Sequence, residues 1–199
     1  MTPEECAQLY HLLALSFACP DAGFAERLTR LIGELRLETW DSDSAGQPIL
    51  PIAPFIRELA AFDQQKLAQI QHECRRLFAQ DRPEALCPAH AWAYRPDLPR
   101  EALTQAAQSA YLTWGQEIPP ARATKLETQL EFLAYLYRQV DDEVARIARR
   151  DFLYQQALVW LLRFADKVVL MTRLDFYRAA AQLLTAFLKL EAGAQFGAI

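Results

Sequence analysis

Apolar residues recur three and four positions apart over nearly the whole chain, and nowhere do they alternate in twos as a half-buried strand requires. The first stripe is Leu9, Leu12, Leu13 and Phe17. Thr2-Pro3-Glu4-Glu5 stands before it with Thr2 at the N-cap, Pro3 at N1 and Glu5 completing a capping box, and Pro20 ends it. A second helix is predicted over about residues 23–37. "ETWDSDSAGQPILP", 38–51, is loop by its Asp, Ser, Gly and Pro content. One long helix is then predicted from Pro54 to Ala79, with Phe55, Leu59, Phe62, Leu67, Ile70, Cys74, Leu77 and Phe78 in helical phase.

Residues 81–99, "DRPEALCPAHAWAYRPDLP", contain four prolines and read as a connector rather than a helix interior. A connector of that length inside a domain is often functional. From Arg100 a helix runs to Trp114 with Gly115 as its C-cap. "EIPPARAT" turns the chain, and a further helix starts at about Ala121 and carries "KLETQLEFLAYLYRQV". Residues 141–171 give one or two more. Thr172 to Asp175 resembles another capping box, opening a last helix through Leu190. The expected class is therefore all-α. It is a single globular helical domain over residues 1–199, with about seven to nine helices and the proline-rich connector between an N-terminal and a C-terminal block.

Composition narrows the function. The 52% hydrophobic content with only six glycines suits helices with broad apolar faces. A net charge of −4 argues against a nucleic-acid partner and suits a basic peptide better. Cys6, Cys19, Cys74 and Cys87 form no CxxC, so reduced thiols are expected. The start, "MTPEECAQLYHLLALSF", carries glutamates where a signal peptide would be basic, and no apolar run reaches bilayer length. A cytoplasmic location with no stable membrane insertion is the expectation.

No GxGxxG, Walker, HExxH or GxSxG motif occurs. His11 and His72 have no cysteine or carboxylate placed beside them as a co-ligand. Cys87 and His90, in "ALCPAHAWAY", form a Cys-Pro-x-His pair, yet two ligands fall short of a structural metal site. Glu127 and Glu131 form an i, i+4 carboxylate pair without the Glu-x-x-His companions of a diiron bundle, so they read as an acidic edge. Most aromatics belong to helix stripes and to the core; Trp92 and Tyr94 differ in standing on the connector. No enzyme, no cofactor and no metal are expected.

Several stretches resemble, in order, the all-helical cytoplasmic chaperones of the TorD, DmsD and NarJ type, which serve the maturation of molybdenum-containing redox enzymes. They are "LALSFACP" (13–20), "ECRRLF" (73–78), the connector with "CPAHAWAY", "AYLTWG" (110–115), "LETQLEFLAYL" (126–136) and "DFYRAAAQLLTAFL" (175–188). The resemblance implies a client-specific binding protein. It would hold the leader or N-terminal segment of a molybdoenzyme subunit before cofactor insertion, assembly or twin-arginine export.

The implied client-binding positions are Phe17, Leu77, Phe78, Pro88, Trp92 and Tyr94 as a groove, with Glu127 and Glu131 as its acidic rim. Tyr111, Gly115, Thr124 and Lys125 join them where the family landmarks match. One departure counts against recognition of an arginine pair through the family's acidic-His position. Thr124 and Lys125 stand there, and Gln129 replaces the usual Glu; a lysine repels an arginine where a carboxylate would pair with it. Whether the leader is of twin-arginine type therefore stays open. Two other readings also remain: a helical dimeric adaptor, since the family exchanges helices between protomers, and a small metal protein using Cys87 and His90.

Overall fold

Thr2 and Glu5 satisfy each other's backbone amides at the start of the chain. The Glu5 N–H donates to Thr2 Oγ1 (3.2 Å) and the Thr2 N–H donates to Glu5 Oε2 (2.7 Å), which is the capping box that opens helix α1, Pro3–Phe17. The computed structural model describes residues 1–34, 50–60, 63–78, 85–139 and 142–196. These are helical with turns between, without a named strand among them, so the class is all-α.

Helices α2 (Phe24–Glu34), α3 (Ile52–Ala60), α4 (Gln64–Phe78) and α5 (Arg100–Thr113) follow. A single turn, α6 (Pro120–Ala123), precedes α7 (Leu126–Arg138) and α8 (Glu143–Phe152). A π turn at Leu153–Ala157, in which the Leu158 N–H reaches back to the Leu153 carbonyl, joins α8 to α9 (Leu158–Met171). Helix α10 (Asp175–Phe196) closes the order.

Three boundaries differ from the sequence expectation. The helix expected over 54–79 is two helices, because the Asp63 carboxylate accepts the Lys66 N–H (2.7 Å) and opens α4 afresh. Phe62, Ala79 and nearly all of the 38–51 loop lie outside the described residues. The helix expected from Ala121 closes after one turn at Ala123 and restarts at Leu126. Thr172 is not the cap of α10. Its hydroxyl accepts from Leu174 N–H (3.1 Å), two residues on, and the helix begins only at Asp175.

The chain divides into two compact units, Met1–Ala18 with Pro88–Phe164, and Cys19–Cys87 with Ala165–Ile199. In the first, α1 lies along α7, and Leu9, Leu12, Leu13, Leu126, Leu130 and Leu133 are wholly buried. Each such side chain stabilises by about 2 kcal/mol. Tyr10 meets Tyr137 at 5.8 Å between ring centroids, and Phe17 stands edge-on to Phe164 at 5.2 Å.

In the second unit α3 packs on α10, with Phe55 against Phe176 at 5.5 Å and Phe78 edge-on to Tyr177 at 5.2 Å. A buried carboxylate, Glu73, ties this unit together. It accepts two hydrogen bonds from Arg76 (2.8 and 2.7 Å), one from the Arg173 N–H (2.6 Å) and one from the Thr172 hydroxyl (3.2 Å).

Candidate functional site

Helix α7 has Lys125 at its N-cap, a residue whose side chain cannot cap a helix, and no side-chain cap is made there. The connector supplies the acceptor instead. The Leu126 N–H donates to the Ala89 carbonyl (3.0 Å) and the Ala91 N–H to the Thr124 carbonyl (2.9 Å), an isolated antiparallel bridge centred on His90 and Lys125. Two stretches of the first unit that the sequence singled out separately are thereby held together.

His90 is buried, its Nδ1 3.4 Å from the Thr124 hydroxyl and its ring stacked on Trp92 at 5.4 Å. Burial, with the Lys125 and Arg100 charges beside it, lowers its pKa from 6.5 to about 4. The folded chain thus keeps His90 neutral where the unfolded chain would protonate it. The stability this carries is complete above about pH 6.5 and declines as the pH falls towards about 4. Urea unfolding should show about 2 kcal/mol less stability at pH 5 than at pH 7. His90→Gln should remove most of that difference.

The other connector residues differ in exposure. Trp92 is half-buried, between His90 and the Arg100 guanidinium 5.0 Å from its centroid. Tyr94 is buried against Trp160 (6.1 Å) and Phe164 (6.0 Å), and its carbonyl accepts from Arg163 (2.7 Å). Pro88 is half-buried. Cys87 belongs to the second unit, where burial pushes its thiol up to about 11 despite Lys167 and Arg76 nearby. Cys87 and His90 have different surroundings, and no group of three or more His, Cys, Asp or Glu among the described residues is placed to hold a metal ion.

A cavity of about 160 Å³ lies within the first unit, between the end of α5, the 116–122 segment and α7. Gly115 turns the chain from α5 into that segment. With φ +70° it ends α5 in the left-handed conformation; its N–H donates to Leu112 and the Gln116 N–H to Tyr111, a Schellman pair. The Gln108 amide then fixes the Ile118 carbonyl (3.1 Å). A Cβ at Gly115 would meet nothing within 4 Å, so Gly115→Ala should cost only the backbone term, about 1 kcal/mol, read as a lower Tm.

The apolar walls are Tyr111, Ile118, Phe132 and Tyr135. Tyr111 packs edge-on to Phe132 at 4.7 Å, and its hydroxyl donates to the Ala123 carbonyl (2.7 Å); burial raises its pKa. The polar lining is Gln116, Arg122, Glu127, Thr128 and Glu131. Glu131 Oε1 accepts from His11 Nδ1 at 2.5 Å, linking α1 to α7. Lys125 Nζ is 3.9 Å from Glu127 Oε1, while Glu127 Oε2 and Thr128 Oγ1 are buried with no hydrogen-bond partner among the described residues. Leaving such an atom unsatisfied costs about 1–3 kcal/mol, which a ligand bearing N–H or O–H donors would relieve.

Of the residues singled out in the sequence, Tyr111, Glu127 and Glu131 line this cavity, Gly115 ends α5 beside it, and Thr124 and Lys125 stand at the start of α7. Phe17 and Tyr94 are core of the first unit, and Leu77 and Phe78 core of the second. The sequence reading missed Thr128, Phe132 and Tyr135, although the same i, i+4 step that pairs 127 with 131 reaches 135 and pairs 128 with 132. It also left His11 without a carboxylate. Glu131 supplies one from 120 residues away, a distance no local pattern spans.

No protein-family profile matches this sequence, and no curated protein sequence does. Among solved structures, a candidate redox enzyme maturation protein from Archaeoglobus fulgidus is similar in fold. Its TM-score is 0.59 at 18% identity, over 94% of this chain and 93% of that one.

Proposed function

We propose that this chain is a maturation chaperone that holds the N-terminal segment of a redox-enzyme subunit while the subunit awaits its cofactor. The fold likeness to a candidate redox enzyme maturation protein supports this reading, as do the ordered landmarks of the sequence. The observation that carries it is a pair of buried acceptors without a partner among the described residues, Glu127 Oε2 and Thr128 Oγ1, on residues that line a cavity with room for one long side chain. A client lysine or arginine fits: its aliphatic stem lies along Ile118, Phe132 and Tyr135, and its N–H groups meet the two acceptors. Lys125 stands 3.9 Å from the other Glu127 oxygen, too far for a hydrogen bond; it offsets part of the carboxylate charge and leaves Oε2 as the acceptor for a closer client donor.

In this reading Tyr111, Glu127 and Glu131 touch the client, and Gly115, Thr124 and Lys125 set the cavity's shape. Phe17, Leu77, Phe78, Pro88, Trp92 and Tyr94 support the helices from within. The client is a molybdenum-containing subunit, bound in the cytoplasm before assembly or export, and the chaperone turns nothing over. Affinity purification of the tagged chain from its own host tests this, with bound chains identified by mass spectrometry. A redox-enzyme subunit should be retained, and should be lost when its N-terminal segment is deleted. Retention that ignores that deletion, or no such subunit while it is being expressed, would overturn the reading.

A further inference from the structure

Two cysteines lie outside the client-binding reading. Cys19 is exposed, in the segment that leaves α1 after Ala18 adopts an extended conformation. Cys74 is buried on α4. Both belong to the second unit, and their sulfurs are 3.1 Å apart although 55 residues separate them in sequence. One helical turn before Cys74, the Gln71 amide donates to the Pro20 carbonyl (3.2 Å). The 19–20 segment is thus held against α4 at two successive turns, one of which is the sulfur pair. Tyr177 of α10 closes the inner side: it lies within hydrogen-bonding reach of Cys74, and its hydroxyl donates to the Ile70 carbonyl (3.5 Å).

We propose that Cys19 and Cys74 form a reversible disulfide when the chain meets a small disulfide oxidant such as oxidised glutathione. Cys19 is the accessible thiol, so its thiolate attacks first. The glutathione S–S bond breaks, one glutathione thiolate leaves, and a Cys19–glutathione mixed disulfide forms. Cys74 then gives up its proton and attacks Cys19 Sγ, expelling the second glutathione. The two cysteines are oxidised by two electrons and one glutathione disulfide is reduced to two thiols. Bonding requires a sulfur separation of about 2.05 Å, so the pair must close by about 1 Å. Cys19 supplies that movement from a non-helical segment while α4 stays in place. Cys6 and Cys87 are buried, so the exposed Cys19 meets the oxidant before them.

The test uses the whole chain, incubated with oxidised glutathione, quenched in acid, unfolded, alkylated and weighed intact. The expected product has lost two hydrogens, carries two alkyl groups instead of four, and regains all four after reduction. Fragment spectra should place the bond between Cys19 and Cys74, and the Cys6→Ser chain should behave identically. Cys74→Ser should stop at the glutathione adduct on Cys19. A wild-type chain that keeps four alkylatable thiols, or that ends as a lasting glutathione adduct on Cys19 with Cys74 alkylated, would overturn the proposal. The wild-type result stands alone should the serine variant fail to fold.

Discussion

Trp160→Ala is expected to lower the stability of the first unit by about 4 kcal/mol, the usual loss for emptying a fully buried tryptophan site. Trp160 has no solvent exposure and is stacked against Tyr94, with Phe164 edge-on at 6.2 Å. Its indole N–H donates to Gln129 Oε1 (2.8 Å), so truncation also leaves a buried amide oxygen unsatisfied. Trp160→Phe separates the two losses: it keeps most of the ring volume and should cost about 1–2 kcal/mol, chiefly the hydrogen bond. Urea unfolding followed by far-ultraviolet circular dichroism measures both. Equal stability of the alanine variant and the parent would mean that Trp160 does not hold the connector's Tyr94 in place. The same contact explains the departure at 129. A glutamine there is an uncharged acceptor for a buried indole, where a carboxylate would need desolvating.

Glu73→Ala is expected to cost about 3 kcal/mol, the loss that follows from removing one partner of a buried ion pair. The carboxylate is 4% exposed, and its removal deprives Arg76, the Arg173 N–H and the Thr172 hydroxyl of their shared acceptor. Arg76 keeps one further contact, to the Met171 carbonyl (2.5 Å). Glu73→Gln retains an acceptor for Arg173 and loses the charge, and should fall between the parent and the alanine variant.

Burial alone would raise the pKa of Glu73, but the Arg76 pairing and the hydrogen bonds from Arg173 and Thr172 outweigh it and hold the group below 4.5. Its contribution is therefore complete above about pH 4.5 and is lost as the pH falls through the lower folded value. That window lies below the one set by His90, between about 6.5 and 4. Acid unfolding should accordingly show two slopes, with Glu73→Gln flattening the lower and His90→Gln the upper.

What could be seen in the sequence was local. The Thr2–Glu5 box and the Gly115 cap depend on residues a few positions apart, and the α1 and α7 stripes depend on helical period alone. The missed features are long-range or depend on competition. Asp63 breaks a run whose apolar phase continues through it, so periodicity alone joined α3 to α4. The connector's prolines ruled out a helix interior but said nothing of what packs against it. Residues 88–94 are buried or half-buried, and there the Ala89 carbonyl accepts the Leu126 N–H at the start of α7, a partner far along the chain. Of the two aromatics singled out there, Tyr94 is buried and Trp92 half-buried. The cavity lies between the end of α5 and α7, where the sequence singled out Tyr111, Glu127 and Glu131 but not Thr128, Phe132 or Tyr135.

The most direct measurement is a calorimetric titration of the client subunit's N-terminal peptide into the purified chain and into Glu127→Gln, with circular dichroism checking that both are folded. A charge-assisted hydrogen bond in a buried site is worth about 1.5–3 kcal/mol, so the variant should bind about tenfold more weakly or worse. Replacing the peptide's basic residues with glutamine should weaken binding to the parent chain by a similar factor while changing the variant's affinity little. Equal affinity of parent and variant for the unmodified peptide would contradict the account.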